Sequence, residues 1–279
     1  MARNFRIRSS QITLHVGNYT CLTYEDQNGP QKISYCGIMK NSRSFNGKTT
    51  DLGNSNVADV AIRDLELVLK FQKSVLDRLY FHSLVDNLPV KMTRMFKMLH
   101  GKIKTRKLTI KANYMLQVDL LLQVADPESL KSLDLIPLEE RMRIESDVVV
   151  KTEQWEKAKA LNCDMRLLNL QVEDICHFSR LSLRTHSFNA VDLDILRKVI
   201  TRSSNFERLR LHDSKEQEEC SDIWGPAFDS GYSSQWYFRM KDSEEKVLSI
   251  EICRSVIYFD SIEITDVSEE AIVQDYNEY

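Results

Sequence analysis

The residue types of a hydrolase triad stand together in the run His212-Asp213-Ser214. A triad needs its nucleophile, base and orienting acid to converge from different parts of a fold, and three adjacent residues cannot do so. The short motifs of nucleotide-binding, zinc-protease, serine-hydrolase and EF-hand sites are also missing from the sequence. We therefore expect a protein that is not an enzyme, with no catalytic residue, no cofactor and no small-molecule substrate.

Metal-ligating residue types are present but lack the spacing of a metal site. The six cysteines are scattered along the chain without a Cys-x-x-Cys pair. His177 precedes Phe178 with no second ligand nearby, which favours a hydrogen-bonded structural histidine over a metal ligand. The sequence predicts no metal site.

Basic residues cluster between residues 91 and 111, where eight occur with no acidic residue among them. They are Lys91, Arg94, Lys97, Lys102, Lys104, Arg106, Lys107 and Lys111. Such a cluster could contact the phosphates of RNA or an acidic partner, or it could simply be a solvent-exposed surface. The whole chain has 38 basic and 41 acidic residues and no aromatic signature of an RNA-binding domain. RNA binding through 91–111 is therefore the alternative prediction.

The first 56 residues have the pattern of a small antiparallel sheet followed by a polar linker. Alternating segments at 12–16, 19–24 and 33–36 predict a hairpin or meander. Residues 40–56 are rich in Asn, Ser, Thr and Gly, which predicts a loop and a domain boundary. Behind the expected cap Asn56, apolar residues at helical spacing from Val57 to Leu76 predict a long amphipathic helix.

A strand-helix unit then repeats. Strand cores with apolar residues two positions apart begin at residues 79, 108, 133, 181 and 209, and a weaker one lies around Leu161. Helices are predicted between them at 89–100, 114–124, 147–160 and 190–202. With steps of 20 to 29 residues, the pattern predicts an α/β fold, an irregular leucine-rich-repeat-like solenoid with antiparallel β segments at both ends.

The chain ends in segments at 236–241, 247–252 and 256–264 that predict antiparallel strands, followed by an acidic stretch. We predict an N-terminal region over 1–56, a repeat domain over 57–264 and an acidic tail over 265–279. No signal peptide or membrane-spanning segment is recognisable, so a cytoplasmic or nuclear protein with no membrane partner is expected.

Trp155 lies in a polar stretch inside the predicted helix 147–160. Helical spacing puts it on one side with Ala158 and Leu161, which predicts that the ring is buried as a packing wedge. A ligand-binding role would need further polar groups that converge on the ring, and the neighbouring sequence does not supply them.

Around this tryptophan the sequence resembles the nematode FTH domain family, the large C-terminal region of F-box-associated proteins. The resemblance is carried by Gln154, Trp155, Ala158 and Lys159, and by His177-Phe178 before a strand. Segments at 120–136, 191–211 and 236–252 are also similar, so the resemblance covers most of residues 60–264.

The resemblance implies a substrate-recruiting role, in which an F-box grips the Skp adaptor of a ubiquitin ligase and the FTH region binds a protein partner. Few residues precede the first predicted strand, too few for an F-box. We therefore expect no binding of the Skp adaptor and a protein partner that the sequence does not identify.

The predicted partner-binding residues follow from the strand pattern. If the apolar residues of each strand core point at the helices, the alternating residues share the opposite side of the sheet. These include Lys107, Lys111, Arg180, Arg184, Arg208 and Arg210, with Asp134 as the one acidic residue. The basic side could receive an acidic segment of a partner, or the charges could only keep an exposed sheet soluble.

Overall fold

A computed structural model describes residues 9–17, 19–26, 29–38, 40–139, 142–185, 188–212, 217–229, 231–241 and 243–275, with only the backbone described at residue 26 and at 217–219. The fold is mixed α/β, as predicted. The chain divides into two compact units: the first holds Met1–Met142 and Lys151–Ala158, and the second holds Arg143–Val150 and Lys159–Tyr279. No helix in the described ranges is both long enough and apolar enough to cross a membrane.

The first unit contains a mixed sheet and three helices that precede residue 142. Its strands are β1 (Gln11–Val16), β2 (Tyr19–Asp26), β3 (Gly29–Cys36), β4 (Ser42–Phe45), β5 (Lys48–Asp51), β6 (Leu76–Ser83), β7 (Thr105–Ala112) and β8 (Ser132–Pro137). Its helices are α1 (Val57–Phe71), α2 (Val90–Met98) and α3 (Met115–Leu122). Strands β5, β4, β3, β2 and β1 pair antiparallel in that order. Strands β1, β6, β7 and β8 then continue the sheet in parallel.

The predicted loop over 40–56 is wrong over residues 42–51, where β4 and β5 form a hairpin. Asn46 and Gly47 connect the strands with φ angles of 49° and 74°. An Asn-Gly pair with two positive φ angles is typical of the tight turns that join hairpin strands. The turn signal was in the sequence, but the flanking residues are too polar to suggest strands by hydrophobic alternation.

The N-terminal strands are attached to α1 through Asp64. Tyr35 on β3 donates a hydrogen bond of 2.6 Å from its hydroxyl to Asp64 Oδ2, and Arg43 on β4 forms an ion pair of 2.6 Å with the same oxygen. These strands therefore belong to the same compact unit as the helices. The predicted boundaries at residues 56 and 264 do not coincide with the division between the units, and they stay predictions.

Helix α1 begins where the sequence predicted and ends earlier. The side chain of Asn56 accepts hydrogen bonds from the backbone N–H groups of Ala58 and Asp59, which confirms the predicted cap. The helix ends at Phe71, and Leu76 is the first residue of β6. Extending the helical pattern to Leu76 was wrong because an apolar residue at the start of a strand can match the helical period by chance.

The prediction of one helix over 147–160 is also wrong, because the helix is interrupted at Thr152. Strand β9 (Arg143–Glu145) and helix α4 (Ser146–Val150) belong to the second unit, and helix α5 (Glu153–Lys157) belongs to the first. Thr152 is extended and its side-chain oxygen accepts from the N–H of Trp155, so it caps a new helix. Three consecutive valines at 148–150 are β-branched and disfavour continuation of α4.

The second unit contains the remaining elements. Its strands after β9 are β10 (Ala160–Leu168), β11 (Arg180–Arg184), β12 (Arg208–His212), β13 (Phe228–Asp229), β14 (Ser234–Arg239), β15 (Lys246–Cys253), β16 (Val256–Glu263) and β17 (Val273–Gln274). Its longer helices are α6 (Ala190–Ile200) and α7 (Gln217–Trp224), the second of which was not predicted. Strands β9, β10, β11 and β12 pair in parallel, and β12, β16, β15, β14 and β13 continue antiparallel.

The predicted strand cores are confirmed and lie in register within each unit. In the first unit Leu79, Leu108 and Leu133 are successive partners across β6, β7 and β8. In the second unit the successive partners across β10, β11 and β12 are Leu161, Leu181 and Leu209. All six side chains are buried. The repeated two-residue spacing therefore marks parallel strands whose apolar side chains form the core.

Part of the stretch that was predicted as an acidic tail is attached to the second unit. Strand β17 pairs in parallel with β14, and Gln274 donates a hydrogen bond of 2.8 Å to the carbonyl of Trp224. Asp275 forms an ion pair of 3.1 Å with Arg239. Residues 273–275 are therefore attached to the second unit, and residues 276–279 of the predicted tail lie outside the described ranges.

Candidate partner-binding surface

Strands β11 and β12 present arginines on one side and leucines on the other. Leu181 and Leu183 are buried on β11, and Leu209 and Leu211 are buried on β12. Because side chains alternate along a strand, the intervening residues share the opposite side. We call this side of β10, β11, β12 and β16 the open face. Its residues are Asn162, Asp164, Arg166, Arg180, Ser182, Arg184, Arg208, Arg210, His212, Tyr258 and Asp260.

Two of the predicted arginines are already neutralised by acidic neighbours. Arg180 forms an ion pair of 3.4 Å with Glu207, and both side chains are more than half exposed. Arg208 forms an ion pair with Asp260 of β16. Neither acid was expected on this face from the sequence, because Glu207 precedes its strand and Asp260 lies on an antiparallel strand far along the chain.

Arg184 and Arg210 differ from these two. Neither forms an ion pair with any residue in the part of the chain that the structure describes. The guanidinium of Arg210 lies over the ring of Tyr258, 5.6 Å from its centroid. Its Nε is buried and has no hydrogen-bond partner among the described residues. Among the described residues, no ion pair therefore compensates the positive charges of Arg184 and Arg210.

His212 completes this part of the open face. Its Nε2 lies 3.3 Å from the hydroxyl of Ser182, the neighbour of Arg210 across the strand pair. Asp213 and Ser214, which follow it in the triad-like run, lie outside the described residues. Within those residues the geometry of His212 is that of a histidine held against the sheet by a hydroxyl.

Lys107 and Lys111 lie in the first unit, so the six predicted partner-binding residues are divided between the two units. Lys107 forms an ion pair of 2.7 Å with Asp134, and Thr109 donates a hydrogen bond of 3.2 Å to the same carboxylate. Lys111 is the register partner of His82 on β6. Only Lys111 of this pair keeps an uncompensated charge among the described residues.

The surroundings of Lys111 hold two histidines in contact. The rings of His15 and His82 meet edge to face with their centroids 4.2 Å apart. Burial lowers the pKa of His82 to about 4, with smaller contributions from the charges of His15 and Lys111. Burial also lowers the pKa of His15. His82 is therefore neutral at neutral pH and adds no positive charge beside Lys111.

The basic segment 91–111 spans three kinds of element, because α2, the following turn and β7 each carry part of it. Lys91 forms an ion pair with Asp59, and Arg106 forms one of 2.6 Å with Asp77. Lys102 donates a hydrogen bond of 2.7 Å to the carbonyl of Met98. Local partners therefore engage much of the positive charge that the sequence presented as one run.

The signature residues that carried the resemblance occupy structural positions. Trp155 is 1% exposed and Ala158 is fully buried. Gln154 donates a hydrogen bond of 2.8 Å from its buried amide to the carbonyl of Ala125. The carbonyl of Lys159 accepts from the N–H groups of Ser179 and Arg180 at the start of β11, while its side chain is exposed.

His177 and Phe178 precede β11 and differ in burial. Phe178 is buried and His177 is half-buried, and their ring centroids are 4.0 Å apart. Both positions agree with a packing role beside the strand.

Arg143 and Arg166 are further basic residues that the sequence analysis missed. Four side chains are register partners across four consecutive strands, β9 to β12. In that order they are Arg143, Arg166, Arg184 and His212. We call these four residues the basic row. Strand β10 has no Leu-x-Leu core, but the alternation of Leu161, Cys163, Met165 and Leu167 would have placed Arg166 on the open face.

Comparison with known proteins gives one match. A family model described as the FTH domain matches residues 87–226, half of the chain. No curated protein and no solved structure matches. The matched range contains α2, β7 to β12 and the whole basic row.

Proposed function

The chain belongs to the FTH domain family, and from this premise we propose that it is a non-catalytic module that binds a protein partner through an acidic segment of that partner. The observation that carries the proposal is the pair Arg184 and Arg210, which lie on the open face without acidic partners among the described residues. A surface with uncompensated positive charge attracts and orients an acidic segment.

The resemblance to F-box-associated proteins suggests the role of such binding. In those proteins this region is taken to recruit a partner to a ubiquitin ligase, and we propose a recruiting role of the same kind here, in the cytoplasm or nucleus. We also propose that the strand-helix units form a leucine-rich-repeat-like solenoid. The in-register leucines of β6, β7 and β8 support this arrangement.

The test is capture of one partner before and after charge reversal. Affinity purification with mass spectrometry identifies the partner, and binding is then measured with both proteins purified. The combined substitutions Arg180→Glu, Arg184→Glu and Arg210→Glu should abolish binding, while Arg202→Glu should not. Arg202 is an exposed arginine beyond the end of α6 and is a matched control for the change of charge.

Arg210 is partly buried, so the triple variant needs a folding check by circular dichroism and thermal melting. Arg184→Glu alone is the second variant, since Arg184 has no partner that its loss would leave unsatisfied. Undiminished binding by both folded variants would place the partner elsewhere. The alternative function, RNA binding through 91–111, instead requires loss of RNA binding on Arg94→Glu with Lys97→Glu.

A further inference from the structure

The basic row brings four arginine or histidine side chains to consecutive parallel strands of the second unit. Neighbouring strands lie about 4.8 Å apart, so Arg143, Arg166, Arg184 and His212 follow one another at about that spacing. Arg210 stands two residues before His212 on the same side of β12. Positive side chains are therefore concentrated at the end of β11 and β12.

This concentration is unfavourable for the folded chain by itself. Like charges directly opposite each other on neighbouring strands are destabilising. Elsewhere on the open face the chain compensates such charges, with Glu207 for Arg180 and Asp260 for Arg208. Asp164 lies on the same side of β10, but it forms no ion pair with any described residue. Arg184, Arg210 and His212 thus form no ion pair with a described carboxylate.

Arg210 carries a second indication of an external anion. Its Nε is buried and makes no hydrogen bond among the described residues, although burying a donor without a partner costs free energy. The guanidinium lies over the ring of Tyr258, 5.6 Å from its centroid, so the aromatic ring faces the cation from one side. An anion bound beside this guanidinium would compensate its charge.

We propose that Arg184, Arg210 and His212 form a subsite for a phosphoryl group carried by the docked segment of the partner. The proposal rests on the proposed function, since it names the chemistry of the segment that the open face receives. Arginine presents a planar fork of donors that matches phosphate oxygens in pairs. A phosphate monoester carries roughly −1.5 to −2 charges at pH 7 and three acceptor oxygens, so it suits two adjacent guanidinium groups and a histidine better than a single carboxylate does. Arg143 lies in the same row and favours acidic residues beside the phosphorylated one.

The experiment measures the affinity of two peptides for the whole chain. In one, a phosphoserine is flanked on each side by two glutamates, and in the other the serine is unmodified. At matched ionic strength the phosphorylated peptide should bind about tenfold tighter, the equivalent of about one additional charge-assisted hydrogen bond. Fluorescence anisotropy measures both affinities, and inorganic phosphate should compete with the phosphorylated peptide only.

Arg184→Gln should remove the preference for the phosphorylated peptide, and Arg202→Gln should keep it. Arg184→Gln with Arg210→Gln should lower binding further, and circular dichroism checks that both variants fold. Equal binding of the two peptides, no binding of either, or a preference that survives Arg184→Gln would overturn the subsite. So would displacement of the phosphorylated peptide by a single-stranded RNA that binds the same residues.

Failure of the subsite and failure of the proposed function give different results. If the peptides bind equally while the purified partner still requires Arg184 and Arg210, the docking surface stands and its phosphoryl chemistry is rejected. If the partner binds without any dependence on these arginines, the docking surface itself is rejected.

Discussion

Trp224 donates a hydrogen bond of 3.0 Å from its indole Nε1 to Oδ1 of Asp194, and both side chains are buried. The same carboxylate forms ion pairs with Nε of Arg197, at 2.8 Å, and with Nζ of Lys198, at 3.0 Å. Arg197 in turn lies over the ring of Phe238, 4.6 Å from its centroid. One acidic side chain of α6 therefore connects α7 and the C-terminal strands of the second unit.

Removing this carboxylate should destabilise the second unit. Burial acts to raise the pKa of Asp194, but hydrogen bonds from Lys198, Arg197 and Trp224 outweigh it and lower the pKa. Asp194→Ala would leave Arg197 buried without its partner, which costs about 3–5 kcal/mol of unfolding free energy. Urea denaturation at neutral pH measures the loss. Asp222→Ala, at an exposed position of α7, is the control and should change stability by less than about 0.5 kcal/mol.

Acid should destabilise the first unit through His82. Unfolded His82 binds a proton below about pH 6.5, whereas the folded side chain binds one only below about pH 4. Between these pH values the unfolded state binds more protons, so the unfolding free energy falls as the pH falls. His82→Gln should flatten this dependence between pH 6.5 and pH 4. Asp194, whose pKa is lowered from 3.8, contributes with the same sign only near the lower end of this range.

The measurement for His82 is urea unfolding at a series of pH values, followed by the fluorescence of Trp155 in the first unit. Variants that replace Trp224 and Trp236 with phenylalanine remove the signal of the second unit, and they are needed because the chain has three tryptophans. An unchanged slope in His82→Gln would show that His82 titrates normally in the folded chain.

Trp155→Ala should cost about 3–5 kcal/mol, because it removes the contacts of a large buried ring and leaves a cavity. Trp155→Phe retains part of the volume and should cost less. Thermal melting followed by circular dichroism compares the two variants with the wild type. A melting temperature of Trp155→Ala equal to that of the wild type would refute the packing role.

Gln154→Leu should destabilise the first unit by about 1–3 kcal/mol, because the buried carbonyl of Ala125 loses its side-chain donor. Leucine keeps the volume, so the effect reports the hydrogen bond and not a cavity. Lys159→Ala is the matched control from the same signature and should have little effect. The side chain of Lys159 is exposed, and the hydrogen bonds at this position come from its backbone carbonyl. Equal effects of the two substitutions would contradict this assignment.

Local patterns in the sequence determined most of the strands and several helix ends. The two-residue spacing of leucines located β6, β7, β8, β11 and β12, because alternation along an extended chain is a property of the backbone itself. The cap at Asn56 was equally readable, since a capping side chain reaches only the next few residues. The same alternation placed Arg184 and Arg210 opposite the buried leucines.

Tertiary structure decided which of these arginines form ion pairs with acidic residues and which do not, within the described part of the chain. Arg208 and Arg210 are both arginines on the same side of β12, yet only Arg208 forms an ion pair. The antiparallel pairing of β16 with β12 places Asp260 opposite Arg208. The parallel pairing of β1 with β6 likewise joins segments that are distant along the chain. Such pairings depend on how the whole chain closes loops and buries its apolar side chains, so a local pattern does not contain them.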